Sequence, residues 1–93
     1  MNGEENKIRE QINVAAFYLS QKNYAYDNLC WMLAERQLII QKDPRFNQKE
    51  RIREKAASIF FKSYPYDVLC WLIAELDILL EIKKPKKPKY RII

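Results

Sequence analysis

The amino-acid sequence predicts an all-α protein: two tandem helical hairpins forming a four-helix arrangement, followed by an extended basic C-terminal tail. Three observations carry that prediction. The stretch Tyr26-Asp27-Asn28-Leu29-Cys30-Trp31-Met32-Leu33-Ala34-Glu35 returns as Tyr66-Asp67-Val68-Leu69-Cys70-Trp71-Leu72-Ile73-Ala74-Glu75, so one unit is written twice. The 93 residues include one Gly but many Leu, Ile, Ala, Glu, Lys and Gln, a composition that favours helix. Apolar residues recur at helical spacing, and no alternating pattern bounded by turn residues marks a strand.

The first helix is predicted from about Asn6 to Gln21, on the stripe Ile8, Ile12, Ala15, Ala16 and Leu19. Lys22-Asn23-Tyr24-Ala25 is the turn. Asp27 suits the start of the second helix as a cap or first-turn acid, because a carboxylate there meets orphan amides and the positive end of the dipole. That helix runs to about Lys42. Asp43-Pro44-Arg45-Phe46-Asn47 then breaks the chain, since Pro disfavours helical geometry in the residue before it. The third helix is predicted from about Gln48 to Lys62 on Ile52, Ala56, Ile59 and Phe60. Ser63-Tyr64-Pro65 leads into the fourth helix, where Pro65 is acceptable in a first turn. It ends near Lys83.

Winding the fourth helix at about 100° per residue gathers Val68, Leu69, Trp71, Leu72, Ile73, Leu76, Leu79, Leu80 and Ile82 on one wide arc, with Glu75 inside it. A carboxylate there needs a partner, because burying a lone charge is costly. The opposite strip holds Asp67, Asp77 and Glu81 with only the small Cys70 and Ala74 between them, and faces water or a close neighbour. The body is therefore residues 1–83, with repeat 1 at about 8–42 and repeat 2 at about 49–83, and residues 84–93 form the tail. Aligning Ile8-Arg9-Glu10 with Ile52-Arg53-Glu54 and Phe17 with Phe61 gives an offset of 44, against 40 for the Trp segments. An extra helical turn or a longer first connection accounts for the difference, and the two hairpins should pack with a pseudo-two-fold relation.

An Ile-Arg-Glu opening followed by a Trp-x-x-Ala-Glu-x-x-Leu helix resembles a bacterial family of short helical domains of unknown function. Two copies cover about residues 8 to 82. The resemblance implies a tandem helical-hairpin module and supplies no activity or cofactor.

The net charge of +5 is unevenly placed: residues 1–42 carry 0, 43–67 carry +2, 68–82 carry −3 and 83–93 carry +6. The basic excess thus sits in a Lys/Pro segment where Pro blocks helix and like charges extend the chain. Lys83, Lys84, Lys86, Lys87, Lys89 and Arg91 suit phosphates or another acidic surface, and Tyr90 offers a stacking face. The alternatives are a solvating tail or docking on an acidic protein or membrane surface. Ile92 and Ile93 suit docking on the fold or a partner.

The longest apolar run, Val68 to Ala74, is far shorter than the roughly 20 residues of a bilayer crossing. The N-terminus lacks a basic start and apolar centre, so a cytoplasmic protein is expected, with Cys30 and Cys70 as reduced thiols. The sequence contains no His, which removes the commonest general base and the Cys-His and Ser-His-Asp arrangements. One Gly leaves no glycine-rich phosphate loop. No catalytic residue, metal site or cofactor is therefore assigned. Arg9 and Arg53 with Glu35 and Glu75 are expected as structural ion pairs, since a planar guanidinium suits a carboxylate. Phe17 and Phe61 fall opposite the main stripes of their helices, so either a second face is covered or they offer a partner surface. The function expected is a non-enzymatic interaction module whose tail docks on a nucleic acid or nucleoprotein. The alternative is a purely protein-binding or self-associating accessory subunit of a protein complex.

Overall fold

The computed structural model describes residues 3–83, so the tail at 84–93 lies outside the described residues. Four helices follow one another: α1 (Gly3–Gln21), α2 (Tyr26–Ile40), α3 (Lys49–Lys62) and α4 (Tyr66–Lys83). The chain is all-α and the four helices pack into one arrangement, with no strand among the described residues.

Three of the helices, α1, α2 and α3, stop for a local reason. Asn23 and Ser63 sit at the ends of α1 and α3 with φ of 57° in both, the left-handed conformation that lets a C-terminal amide turn back onto the last carbonyls. Asn23 N–H bonds the Ser20 carbonyl at 3.3 Å and Ser63 N–H that of Phe60 at 3.1 Å. The end of α2 is tighter. Lys42 takes φ of 60°, its N–H bonds the Ile39 carbonyl, and Asp43 N–H bonds the Leu38 carbonyl, each at 3.0 Å. This pair of bonds is the Schellman arrangement that satisfies the last carbonyls of a helix.

Neither half closes on itself. α1 packs on α4, α3 packs on α2, and α2 packs on α4, while no packing joins α1 to α2 or α3 to α4. Each first helix thus finds its apolar partner in the Trp helix of the other half, with α2 and α4 at the centre. The core is Leu29, Leu33, Leu38, Leu69 and Ile73, all fully buried, flanked by Ile52 and Ile59 from α3 and Ile12 from α1. Cys70 and Ala74, on the strip opposite the wide apolar arc of α4, are also buried. Their neighbour is a helix rather than water: Cys70 lines the cleft where α1 meets α4, and Cys30 the cleft where α3 meets α2.

Two hydrogen bonds cross between the halves in mirror fashion. The Tyr26 hydroxyl donates to the Tyr64 carbonyl at 2.5 Å, and the Tyr66 hydroxyl donates to the Tyr24 carbonyl at 2.6 Å. Burial, with the neighbouring Cys30 or Cys70 as a lesser cause, raises both phenols above their ordinary range. The hydroxyls therefore stay protonated as donors.

Equivalent residues stay 40 apart throughout. Ile12 and Ile52 are each 5% exposed, Ala16 and Ala56 pack alike against the core, as do Leu19 and Ile59, and the left-handed turns are Asn23 and Ser63. This corrects the offset of 44 expected for the first helices. The shared Ile-Arg-Glu triplets are not structural equivalents, because burial, not triplet identity, sets how α1 and α3 lie on their partners. The additional length of α1 is at its start. Phe60, placed on the buried stripe of the third helix by periodicity, is instead 46% exposed.

The connection between halves is held by Asp43. Its carboxylate accepts from the Arg45 backbone N–H at 2.7 Å and from Arg51 Nε at 3.0 Å. Those two bonds, the backbone one first, hold the Asp43 carboxyl below its usual pKa.

Replacing either hydroxyl, as Tyr26→Phe or Tyr66→Phe, should lower the unfolding midpoint, because each change removes one bond between the halves. Urea denaturation measures it, and unchanged midpoints would show that the reciprocal bonds carry no stability. A depressed folded pKa at Asp43 means that its stabilisation is present above the unfolded carboxylate value of about 4 and is lost as pH falls through the lower folded value. Wild type should therefore melt above Asp43→Asn at neutral pH, and the gap should close in acid. A gap independent of pH would contradict this.

Candidate functional site

The exchange of helices creates two clefts with matching walls. The first, of about 360 Å³, lies between α1 and α4 and is lined by Asn13, Ala16, Phe17, Ser20, Asp67, Val68, Cys70 and Trp71. The second, of about 390 Å³, lies between α2 and α3 and is lined by Arg53, Ala56, Ala57, Phe60, Phe61, Asp27, Asn28, Cys30 and Trp31. Every residue of the first has its counterpart 40 positions along in the second. Asp, Cys and Trp are common to both, because the repeated segment supplies that wall each time.

The walls donated by the first helices differ, and one difference redirects a tryptophan. Trp71 Nε1 donates to Asn13 Oδ1 at 3.0 Å, across from α4 to α1. The counterpart of Asn13 is Arg53, and a guanidinium offers donors only, so it has nothing to give an indole N–H. Trp31 Nε1 donates instead to Glu35 Oε2 at 3.1 Å within its own helix. Phe17 likewise is answered by Ala57, and Ser20 by Phe60. The α1/α4 cleft is the more polar of the two; the α2/α3 cleft is aromatic with a cation at its edge.

Beside that second cleft the aromatic rings form a ladder. Tyr26 meets Phe60 edge-on at 5.5 Å between centroids, and Phe60 meets Phe61 edge-on at 6.0 Å. Phe61 ends the ladder at 81% exposed. On the other side Phe17 is 57% exposed and edge-on to Tyr18 at 5.6 Å. Of the two placements open to Phe17 and Phe61, the structure has the exposed one for both. Among the described residues no second face of the bundle covers them.

The four residues expected to form ion pairs do not meet as expected. Arg9 and Arg53 are exposed, and among the described residues no ion pair involves either of them or Glu75. Helical spacing placed them near apolar stripes, but α1 and α3 lie so that those guanidinium groups reach water. Glu35 is engaged by Trp31 and by Arg36, at 3.6 Å. The pairing between the central helices goes through Arg36 and Asp77, at 2.8 Å, in a wider cleft that also takes in Ile39, Phe46 and Leu80. Arg36 and Asp77 were not singled out from sequence, since their counterparts, Leu76 and Gln37, break the repeat. The tyrosine lock was within reach of sequence: Lys22-x-Tyr24-x-Tyr26-Asp27 and Lys62-x-Tyr64-x-Tyr66-Asp67 extend the repeat backward at the same offset.

Cys30 and Cys70 are free thiols, each 1% exposed. Burial first, and the nearby Asp27 or Asp67 second, raises their pKa. Both effects disfavour the thiolate that reacts or ligates. Among the described residues no three His, Cys, Asp or Glu side chains gather into a metal-sized group, and no helix is long and apolar enough to cross a membrane. Lys83 ends α4, and Lys84, Lys86, Lys87, Lys89, Tyr90 and Arg91 lie outside the described residues. Compared with known proteins, the chain matches no family model, no characterised protein and no solved structure.

In the folded chain both thiols should react with a disulfide reagent at least about tenfold more slowly than in the denatured chain, since only thiolate attacks. Equal rates, followed by absorbance, would mean that the clefts open readily to their floors.

Proposed function

We propose that this chain is a non-enzymatic interaction module whose helical body makes a protein contact while its basic segment, Lys83 to Arg91, docks on a nucleic acid or nucleoprotein surface. The observation that carries the protein contact is the Tyr26–Phe60–Phe61 ladder, whose Phe60 and Phe61 rings are exposed beside a cleft edged by Arg53. Exposed aromatic clusters are costly to leave in water, and aromatic and Arg side chains are enriched where proteins meet. The docking half of the reading rests on charge: residues 83–93 carry +6 while the preceding fifteen carry −3. A phosphate backbone is the surface that so concentrated a cation segment suits best. Work in the cytoplasm accords with two cysteines kept as thiols.

A purely protein-binding or self-associating role is the second reading. It is favoured by the duplicated clefts, which present the same Asp, Cys and Trp wall twice and suit a partner that is itself repeated or paired.

The discriminating experiment compares the full chain with a chain ending at Ile82 for binding to mixed-sequence RNA and DNA across a salt series. Binding should require the tail, and its logarithm should fall with log salt by roughly 0.7 to 0.9 per phosphate neutralised. Phe61→Ser should leave that binding intact while weakening capture of a protein partner. If neither chain binds nucleic acid, the docking half of the proposal is overturned and the protein-binding reading stands alone.

A further inference from the structure

Every helix packing in this fold crosses the linker at residues 41–48. α1 on α4, α2 on α4 and α2 on α3 each join a helix before the linker to one after it, and no two helices pack on each other within residues 3–40 or within residues 49–83. The specific bonds follow the same rule. Tyr26 to Tyr64, Tyr66 to Tyr24, Trp71 to Asn13 and Arg36 to Asp77 all run from one half to the other.

Each half therefore recognises only the other half, and recognises it entirely through surfaces that a second copy of the chain presents identically. We infer that this protein exchanges halves between copies: residues 3–40 of one chain seat on residues 49–83 of another and the reverse, giving a closed two-fold dimer with two complete bodies. The partner surface is the one already described, from the cores of the Trp helices to the tyrosine lock, so no new interface has to be built. This goes beyond the function proposed above and holds whatever the aromatic ladder binds.

The linker decides between the two forms. In the closed chain it reverses direction through the left-handed Lys42, and Asp43 ties that reversal to Arg45 N–H and to Arg51. Opening it frees Lys42 from a conformation that a residue with a Cβ disfavours and gives up the Asp43 bonds. It also replaces an intramolecular partner, present at an effective concentration on the order of millimolar for a short connection, with one at the ambient concentration. Closed monomer is thus the form in dilute solution. Exchange grows with protein concentration, and it becomes obligatory when the linker is too short for α3 to turn back on α2.

The test keeps both halves in one chain. Deleting residues 41–48 joins Ile40 directly to Lys49 and leaves no residues for a reversal. Light scattering should give twice the monomer mass with wild-type helicity by circular dichroism. Wild type refolded from denaturant at about millimolar concentration should give the same dimer as a minor, slowly reverting species, enlarged in Asp43→Ala. The contact is identified by mixing a chain carrying Asn13→Cys with one carrying Val68→Cys before refolding. Those positions share one cleft wall to wall, so a short bismaleimide should link the two chains only if halves are exchanged. A folded monomer from the deletion overturns the inference. So does the absence of native-helicity dimer from both the deletion and concentrated wild type, and so does a dimer that yields no link between positions 13 and 68.

Discussion

An amphipathic helix has to bury its apolar stripe, and in this chain neither helix of a half does so against the other helix of that half. The turns Lys22–Ala25 and Ser63–Pro65 leave α1 clear of α2 and α3 clear of α4. All the burial that stabilises the body is therefore obtained between halves, where Leu29, Leu33, Leu38, Leu69 and Ile73 lose their water completely. A lone half would keep those faces wet. Folding and the meeting of the halves are one event, and the connection through Asp43 acts by keeping the two together at high local concentration.

The repeated segment leaves a signature in the polar groups. The tyrosine hydroxyls bond reciprocally because each half brings both the donor, Tyr26 or Tyr66, and the acceptor, the Tyr24 or Tyr64 carbonyl. Where the halves diverge, hydrogen-bond chemistry diverges with them. Asn13 accepts an indole N–H and Arg53 offers only donors, so one tryptophan ties α4 to α1 while the other turns to a carboxylate on its own helix. The two clefts thus share a wall and differ in character, one polar and bridged, the other aromatic and rimmed by a cation.

Much of the body was legible in residue order. The helical boundaries followed from periodicity, from Pro44 and from the short polar turns, and of the stripe expected on α1, Ile12 is buried and Ala16 and Leu19 pack against the core, while Ile8 and Ala15 are only partly covered. The exposed placement of Phe17 and Phe61 was one of the two outcomes that their angular position allowed. Arg9, Arg53 and Glu75 show where such reading stops. Spacing fixes a residue's angle about its own helix axis, but whether a guanidinium at that angle meets a carboxylate depends on which helix lies opposite and how far along. Phe60 fell on the buried side by angle and is half exposed, because α3 has a single neighbour, α2, and only the part of its surface turned to that neighbour is covered.

The sequence by itself determined the all-α class, the four helices, the two equivalent segments and the concentration of positive charge after Ile82, since each of these is a property of local composition and spacing. Tertiary structure alone decided that the helices pair across the halves, that equivalence runs at 40 residues through the first helices too, and that Arg36 and Asp77 join the central pair. The physical reason is that a stripe of Leu and Ile satisfies any complementary stripe. Burial selects a helix for being apolar and says nothing of which one it meets, and that choice falls to turn geometry, to the tyrosine bonds and to the short side chains of Cys30 and Cys70 that let a neighbour come close.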